Sequence, residues 1–265
     1  MTSGVSTACL YPLETEKSLD VLLGAGFRTF EIFFNTHSEI TPAFARALRI
    51  RLDVYGARVV SCHFYTSGFE PFMLFTAYRR RFEDGLELYR RYCEVFAMTG
   101  AKYAVFHGDR RDSELPLRDY CERFGRLNET ACREGVTLAQ ENVSRCRSAT
   151  AENVAAMRGY ISDMRFVLDI KQALRAGQSA GAMIDAMGGG IVNVHVSDSA
   201  PGHDCLPPGT GGTGCTDLVK RLAAAGYSGP LTIELYRSDF AGVTELTRSA
   251  RYLDGLTYDI RRNSS

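Results

Sequence analysis

Short β-branched and aromatic runs alternate with longer segments of helical period along the chain. This alternation is typical of βαβ units, in which each strand of a parallel sheet is followed by a helix that packs against the sheet. The runs that predict strands cover residues 5–10, 29–34, 59–64, 103–107, 137–141, 166–169, 192–196 and 231–235. The pattern therefore predicts an α/β fold built from eight strand–helix units.

The segments between these runs have the features of helices that pack on one side. The helix predicted over 78–98 places one set of apolar side chains on a single face: Phe82, Leu86, Tyr89, Cys93 and Phe96. Three helix–strand junctions are alike, GAGFRTFEI, MTGAKYAVF and AAGYSGPLTIEL, and each has glycine where a helix is expected to end. We expect the helices to form an outer layer around the strands.

The length of the chain matches one barrel. A (β/α)8 barrel typically needs about 250 residues, and this chain has 265. No linker rich in proline, glycine and serine divides it. The loop over 197–216 contains five glycines and three prolines, and it follows the seventh strand, where substrate contacts are expected. We predict a single-domain (β/α)8 TIM barrel spanning residues 1–265.

Composition and charge limit the classes of partner. Apolar residues make up 45% of the chain, which allows a large core, and the 31 basic and 31 acidic residues give zero formal charge. We therefore predict neither a nucleic-acid nor a membrane partner. The N-terminus has no secretory-signal pattern, and the eight cysteines form no CxxC pair. These features predict reduced thiols and a cytoplasmic location.

Polar side chains stand at the ends of six successive predicted strands: His63, His107, Glu141, Asp169, His195 and Glu234. A barrel points the carboxyl ends of its strands at one mouth, so we expect these side chains to converge. Buried carboxylates and imidazoles need a partner, and a cation relieves their repulsion. We predict one divalent metal ion, Mn²⁺, Mg²⁺, Co²⁺ or Zn²⁺, with oxygen-rich ligation favouring the harder ions.

Each of these residues also has a structural explanation. His63 or His107 alone could be a hydrogen-bonded core residue, and either glutamate could be salt-bridged to a neighbouring strand. Asp169 could cap the helix that begins near Ile170. Asp198, after the seventh strand, is interpreted as a structural residue or as one that supports a metal ligand, rather than as a ligand itself. Because independent structural roles seldom recur at the ends of six successive strands, the recurrence favours a functional site.

The sequence resembles the xylose isomerase-like barrel superfamily, which includes sugar isomerases and epimerases, inosose dehydratases, hydroxypyruvate isomerases and endonuclease IV. The resemblance covers nearly the whole chain. It rests on QEN at Glu141, LDIKQ at Asp169, VHVSDS at His195, LPPGTG at 206–211 and TIELY at Glu234. In the sugar isomerase and epimerase branch, Glu, Asp, His and Glu of the last four strands bind one metal. The resemblance thus implies Glu141, Asp169, His195 and Glu234 as metal ligands.

The resemblance also implies a reaction, the isomerisation or epimerisation of a small sugar or sugar phosphate through a metal-stabilised enediolate. Glu141 and Glu234 would exchange protons with the substrate, and His63, His107 and Lys171 would bind it. An apolar wall could come from Phe34, Phe64 and Tyr65. Members of the superfamily are often dimers or tetramers, so a homo-oligomer is also implied.

Several positions depart from family patterns. Gln172 stands where endonuclease IV has a metal-binding histidine, and the loop histidine is displaced to His203, which could be an acid/base group, a ligand or simply a loop residue. Arg147 and Pro201 occupy positions where ketose epimerases often have glutamate and arginine. Arg237 is a further candidate for substrate binding. Four other arginines lie just beyond strand ends: Arg110, Arg111, Arg145 and Arg147. Because arginine binds phosphate and carboxylate groups, a phosphorylated or carboxylated substrate is an open alternative.

Three other functions compete with the isomerase interpretation. A dehydratase or lyase acting on a keto sugar or cyclitol would begin with the same proton abstraction, and the sequence does not separate it. An abasic-site nuclease resembling endonuclease IV is opposed by the missing ligands and the zero net charge. An inactive barrel that serves only as a binding partner is opposed by the complete four-residue ligand set.

Overall fold

The computed structural model describes residues 1–212 and 214–263. The strands are β1 (Thr2–Ser6), β2 (Thr29–Phe33), β3 (Arg58–His63), β4 (Tyr103–Phe106), β5 (Thr137–Glu141), β6 (Arg165–Asp169), β7 (Ile191–Val196), β8 (Asp198–Ala200), β9 (His203–Leu206) and β10 (Pro230–Ile233). The α-helices are α1 (Thr15–Gly24), α2 (Pro42–Val54), α3 (Glu70–Leu74), α4 (Arg79–Met98), α5 (Leu117–Arg133), α6 (Ala151–Tyr160), α7 (Ile170–Arg175), α8 (Ala180–Met187), α9 (Cys215–Ala224) and α10 (Val243–Asn263).

Eight of these strands close into a parallel barrel in the order β1, β10, β7, β6, β5, β4, β3, β2 and back to β1. The barrel closes through β1, where Thr2 pairs with Pro230 on one side and Val5 pairs with Phe30 on the other. The helices surround the strands, and β8 and β9 form a separate antiparallel hairpin. The predicted (β/α)8 barrel is confirmed.

The strand period decides which side chains enter the barrel. Three apolar side chains form a small cluster apart from the main core: Val105, Ala139 and Val167. Their neighbours Phe106 and Leu168 pack in the main core with the helices. Successive side chains of a strand point to opposite faces, so residues two positions beyond the small cluster face inward again. Those residues are the predicted site residues His107, Glu141 and Asp169.

Helix α4 has the predicted buried face. Phe82, Tyr89, Cys93 and Phe96 are buried, and Leu86 is partly buried against the core. The helix ends where expected, because Gly100 has a φ of 87° that an L side chain rarely adopts. The chain then enters β4 directly.

Two sequence predictions need correction. The first strand is Thr2–Ser6 rather than 5–10, and Thr7–Leu10 forms a 3-10 turn. Ser6 caps this turn, since its Oγ accepts a hydrogen bond from the Ala8 amide at 3.3 Å. The apolar run was mistaken for strand because Cys9 and Leu10 are buried in the turn. The segment 197–216, predicted as a loop, contains the β8–β9 hairpin.

All eight cysteines lie within the described residues as free thiols, and seven of them are buried. In the part of the chain that the structure describes, no helix combines the length and apolarity that a membrane crossing requires.

Candidate active site

Four side chains meet at the carboxyl end of the barrel. Glu141 ends β5, Asp169 ends β6, His195 lies in β7 and Glu234 directly follows β10. One ligand atom from each lies within 4.8 Å of those of the other three. His195 Nδ1 is central, at 3.1 Å from Glu234 Oε2, 3.4 Å from Glu141 Oε1 and 3.7 Å from Asp169 Oδ2. The structure thus brings together all four predicted metal ligands.

Two buried atoms in this cluster have no hydrogen-bond partner. They are His195 Nδ1 and Glu141 Oε2, the latter at 2.8 Å from His107 Nε2. Buried polar atoms are nearly always satisfied, so an exception requires an explanation. A divalent cation within the cluster would coordinate such atoms, and three carboxylates with one imidazole form a suitable donor set. The residues fit a divalent metal ion.

Asp169 both caps a helix and faces the cluster of predicted metal ligands. Its Oδ1 accepts the Gln172 amide at 2.7 Å and caps α7, as the structural alternative predicted. Its Oδ2 faces His195 in the cluster. The helix cap fixes the orientation of the carboxylate, so that the second oxygen remains directed at the site.

Lys171 is buried inside the site rather than exposed on the surface. Its Nζ lies 3.1 Å from Asp169 Oδ2 and 3.3 Å from Glu234 Oε2. Burial opposes the charged form of this lysine, but the two carboxylates outweigh burial and raise the pKa of Lys171 well above its usual value. One ammonium group faces two carboxylates, and Glu141 adds a third to the cluster, so the carboxylates outnumber the ammonium group and favour a cation.

Glu31 in β2 is a site residue that the sequence analysis missed. Its fully buried Oε2 lies 2.9 Å from His195 Nε2 and accepts hydrogen bonds from Ser61 Oγ at 2.7 Å and Asn193 Nδ2 at 3.2 Å. A carboxylate at Nε2 favours a proton there and leaves Nδ1 free to coordinate a metal. The one signal in the sequence is a glutamate inside the apolar run TFEIF.

The negative field around His195 also affects its protonation. Burial opposes the charged imidazole, but the carboxylates of Glu234 and Glu31 outweigh burial and raise the pKa of His195 well above its usual value. Conversely, burial alone would raise the pKa of Glu141, and the imidazoles of His107, His195 and His63 hold it well below its usual value. The raised pKa of His195 and the lowered pKa of Glu141 both favour ionised carboxylates in a site that attracts positive charge.

His63 and His107 lie beside Glu141. His63 Nδ1 is 3.1 Å from the Phe64 carbonyl, to which it donates, and His63 Nε2 is 2.9 Å from His107 Nε2. Arg145 Nη2 lies 3.2 Å from His107 Nδ1, which must accept because a guanidinium only donates. Burial, with the positive charge of Arg145 contributing, lowers the pKa of His107. His63, His107 and Glu141 form a second group able to hold a metal.

A cavity of about 340 Å³ opens at the cluster, a volume suited to a small molecule. Its lining consists of Ala8, Tyr11, Phe33, Asn35, His63, His107, Glu141, Arg145, Lys171, Gln172, Glu234, Leu235 and Tyr236. The apolar wall is Phe33, stacked on His63 at 4.4 Å, not the predicted Phe34 or Phe64, which are buried in the main core. The strand period explains this error, because a shift of one residue reverses the face.

Two predicted substrate-binding residues lie away from the cavity lining. His203 is exposed in the β8–β9 hairpin. The Arg237 guanidinium donates to the Phe240 carbonyl at 2.8 Å and stacks on the Phe240 ring. By contrast, His63, His107 and Lys171 all line the cavity. The structure therefore gathers three of the five predicted substrate-binding residues.

Two further loop residues have structural contacts. Asp198 Oδ2 accepts the amides of Gly209 at 3.1 Å and Gly211 at 2.9 Å, which ties the loop together as the structural interpretation of Asp198 predicted. Arg147 is buried against Asp109, with 3.2 Å between its Nε and the carboxylate. Both residues shape the loops around the cavity.

The chain belongs to the xylose isomerase-like TIM barrel family, whose profile matches residues 19–256. Its structure is similar to that of a D-tagatose 3-epimerase-like protein, with a TM-score of 0.81, 18% identity and complete coverage of both chains. An L-ribulose 3-epimerase superposes with a TM-score of 0.80 at 18% identity, over 100% of this chain and 97% of that one. A 3-keto-D-glucoside 4-epimerase from E. coli gives a TM-score of 0.75 at 18% identity, over 96% of this chain and 98% of that one.

One curated relative, the uncharacterized protein ML2432 of Mycobacterium leprae (strain TN), is 29% identical over 93 residues. This match spans 33% of each chain, so it covers about a third of the length of the curated relative. At 18% identity, the similarity to the solved structures establishes the fold alone.

Proposed function

We propose that this protein is a divalent-metal-dependent isomerase or epimerase of a small sugar or sugar phosphate. The observation that carries the proposal is the buried cluster of Glu141, Asp169, His195 and Glu234, whose ligand atoms lie within 4.8 Å of one another around the unpartnered His195 Nδ1. The cavity beside it accommodates a small molecule. Two of the similar structures are named as sugar epimerases and one as a sugar epimerase-like protein, and these names support the proposed substrate class.

The reaction requires a proton to leave a carbon atom next to a carbonyl group. A divalent ion would supply positive charge beside the carbonyl and hydroxyl oxygens of the sugar, where negative charge develops. Glu141 and Glu234 both line the cavity and have lowered pKa values, because their contacts with the imidazoles of His107 and His195 outweigh burial. Each is thus an ionised carboxylate able to accept a proton from carbon and to return it.

The remaining cavity residues would hold and orient the sugar. His107 donates through Nε2, because its Nδ1 accepts from Arg145. Lys171 Nζ donates to the carboxylates of Asp169 and Glu234, and its side chain lines the cavity. Phe33 offers an apolar surface to the carbon chain. These contacts would place the reacting carbon between the two glutamates, which is the main requirement for general acid–base catalysis.

The first experiment measures the metal content of the purified protein by elemental analysis. We expect about one equivalent of Mn, Mg, Co or Zn, and loss of that metal in the double variant Glu234→Gln/His195→Ala. The single variant Glu129→Gln, an exposed carboxylate on α5, is the matched control and should retain the metal. Absence of metal even after incubation with excess ion would contradict the proposed site.

The second experiment incubates the metal-loaded protein with ketoses and ketose phosphates in D₂O. We expect NMR to show deuterium at the carbon next to the carbonyl group, together with an isomer or epimer of the sugar. Formation of a dehydrated product would reassign the protein as a dehydratase. Three equivalents of zinc and cleavage of abasic DNA would instead identify a nuclease.

A further inference from the structure

The loops that follow β4 and β5 carry arginines around a groove beside the active-site cavity. The groove is lined by Arg110, Arg111, Asp112 and Arg145. Arg145 also lines the cavity that contains Glu141 and Glu234. The groove and the cavity are therefore adjacent and meet at one guanidinium group.

Backbone contacts join the two arginine-bearing loops. The Arg111 amide donates to the Arg145 carbonyl at 2.9 Å, and Arg110 forms an antiparallel bridge with Cys146. Beneath them, the buried Arg147 donates to Asp109 Oδ2 at 3.2 Å and to the Ser113 carbonyl at 2.8 Å. Because the two loops are bound to each other, the arginines are held on one side of the cavity.

The groove carries an excess of positive charge. Within residues 1–212 and 214–263, Arg111 and Arg145 have no carboxylate at ion-pair distance, and Arg110 Nε lies 3.8 Å from Asp112 Oδ1. Three guanidinium groups therefore face one carboxylate, in a chain whose formal net charge is zero. By contrast, Arg90 and Arg126 on the outer helices are paired with glutamates.

The position of Arg145 connects this charge with the reacting groups. Its Nη2 lies 3.2 Å from His107 Nδ1, and His107 Nε2 lies 2.8 Å from Glu141 Oε2. A sugar whose carbonyl end lies between Glu141 and Glu234 would extend its other end along this side of the cavity. The guanidinium groups would then meet the end of the substrate that does not react.

We propose that the groove binds an anionic group, a phosphate or a carboxylate, at the non-reacting end of the substrate. The preferred substrate is therefore an anionic ketose rather than a neutral one. Arginine suits this role because its planar fork of donors matches both oxyanions and keeps its charge at neutral pH. The inference rests on the proposed isomerase or epimerase function and adds the substrate class to it.

The test compares neutral sugars with their anionic counterparts. The probes are D-ribulose against D-ribulose 5-phosphate, and D-fructose against D-fructuronate, with deuterium exchange giving kcat/KM for each. We expect the anionic member of at least one pair to have the higher kcat/KM, by about tenfold or more, since one charge-assisted contact is worth that amount. The pair with the larger preference identifies phosphate or carboxylate as the bound group.

Substitutions of the groove arginines test whether the groove causes the preference for anionic sugars. In Arg111→Gln and in Arg110→Gln, the ratio of anionic to neutral kcat/KM should fall by about five- to tenfold. The matched control Arg133→Gln, an exposed arginine on α5, should keep the wild-type ratio. Equal kcat/KM for neutral and anionic sugars would overturn the inference while leaving the proposed function intact. An equal fall in the control would also overturn it, because it would show a general effect of net charge.

A binding measurement separates this inference from the proposed function. Calorimetry on the protein as purified compares the Kd of D-ribulose 5-phosphate with that of D-ribulose. If no sugar exchanges deuterium, the proposed function fails, and the binding data still test the groove. Tighter binding of the phosphate, weakened in Arg111→Gln but not in Arg133→Gln, supports the anion site. Equal binding of the two sugars, or no binding of either, overturns it.

Discussion

The side chains of β4, β5 and β6 that point into the barrel form two levels, and the two levels differ in chemical character. At the lower level, Val105, Ala139 and Val167 form a buried apolar cluster. Two residues further along each strand, the inward side chains are polar and equally directed toward the axis: His107, Glu141 and Asp169. Glu141 and Asp169 are as buried as the valines. Burial therefore does not distinguish the site from the core, whereas the presence of polar atoms without partners does.

The lower level explains how the upper level is tolerated. Burying carboxylates close together costs free energy, unless hydrogen bonds, ion pairs or a metal compensate. The apolar cluster supplies favourable packing on the same strands and holds them in register. The upper level is fixed by specific contacts instead, such as the cap from Asp169 to the Gln172 amide and the contact of Glu31 with His195. The side chains that stabilise the barrel and the side chains that form the candidate site are thus two positions apart along each strand.

The largest expected effect comes from removing a proton-accepting group at the upper level. In Glu141→Gln we expect deuterium exchange into the sugar to fall by about 10²- to 10⁴-fold, because an amide of the same shape cannot accept the proton. Mass spectrometry or NMR of the sugar measures this rate. Glu129→Gln should retain the wild-type rate, and exchange by Glu141→Gln at that same rate would remove Glu141 from the proposed mechanism.

A smaller effect is expected from Glu31, which contacts His195 from β2. Glu31→Gln keeps the volume of the side chain but removes the charge facing His195 Nε2, so we expect the affinity for Mn²⁺ to fall by about 10- to 100-fold. Titration calorimetry measures the Kd. At saturating Mn²⁺ the variant should recover exchange activity. Unchanged affinity would show that Glu31 only satisfies the hydrogen bonds of Ser61 and Asn193.

At the lower level, the expected effect is on stability rather than chemistry. Val167→Ala removes buried methyl groups and leaves a cavity, so the free energy of unfolding should fall by about 2 kcal/mol. Urea unfolding measures this value, and elemental analysis should show the wild-type metal content. Loss of metal in this variant would mean that the two levels are not separable.

The smallest expected effect concerns Glu70, a buried carboxyl group outside the cavity. It accepts the Gly108 amide at 2.6 Å and the His107 amide at 3.1 Å, and burial raises its pKa well above the usual value. A raised pKa in the folded state stabilises the protein fully below the unfolded pKa of about 4.3, and this stabilisation is lost as pH rises toward the folded pKa.

Glutamine has no such loss, so the stability of Glu70→Gln relative to wild type should increase between pH 5 and pH 7, by at most about 1.4 kcal/mol per pH unit. Urea unfolding of both proteins at the two pH values measures the difference. The comparison cancels the titration of all other groups. A difference that does not change with pH would show that Glu70 is ionised in the folded protein.

The hydrophobic and polar pattern by itself determined the barrel and the main parts of its candidate site. Alternating strand and helix signals specified eight parallel strands, because a parallel strand must be followed by a crossover. Polar residues at the strand ends pointed to His63, His107, Glu141, Asp169, His195 and Glu234 without any contact being known. The barrel is confirmed and these side chains converge at its carboxyl end, because both inferences depend on local periodicity and on the fixed direction of strands in a barrel.

Only the tertiary structure decided how side chains are paired across the barrel. Glu31 lies 164 positions from His195 in sequence, and their contact at 2.9 Å depends on barrel closure. The apolar wall is Phe33 rather than Phe34, since the face of a strand changes with each residue. The positions of His203 and Arg237 away from the cavity, and of Arg145 beside it, depend on loop conformations. Loop conformation follows from long-range backbone contacts, which no local pattern in the sequence encodes.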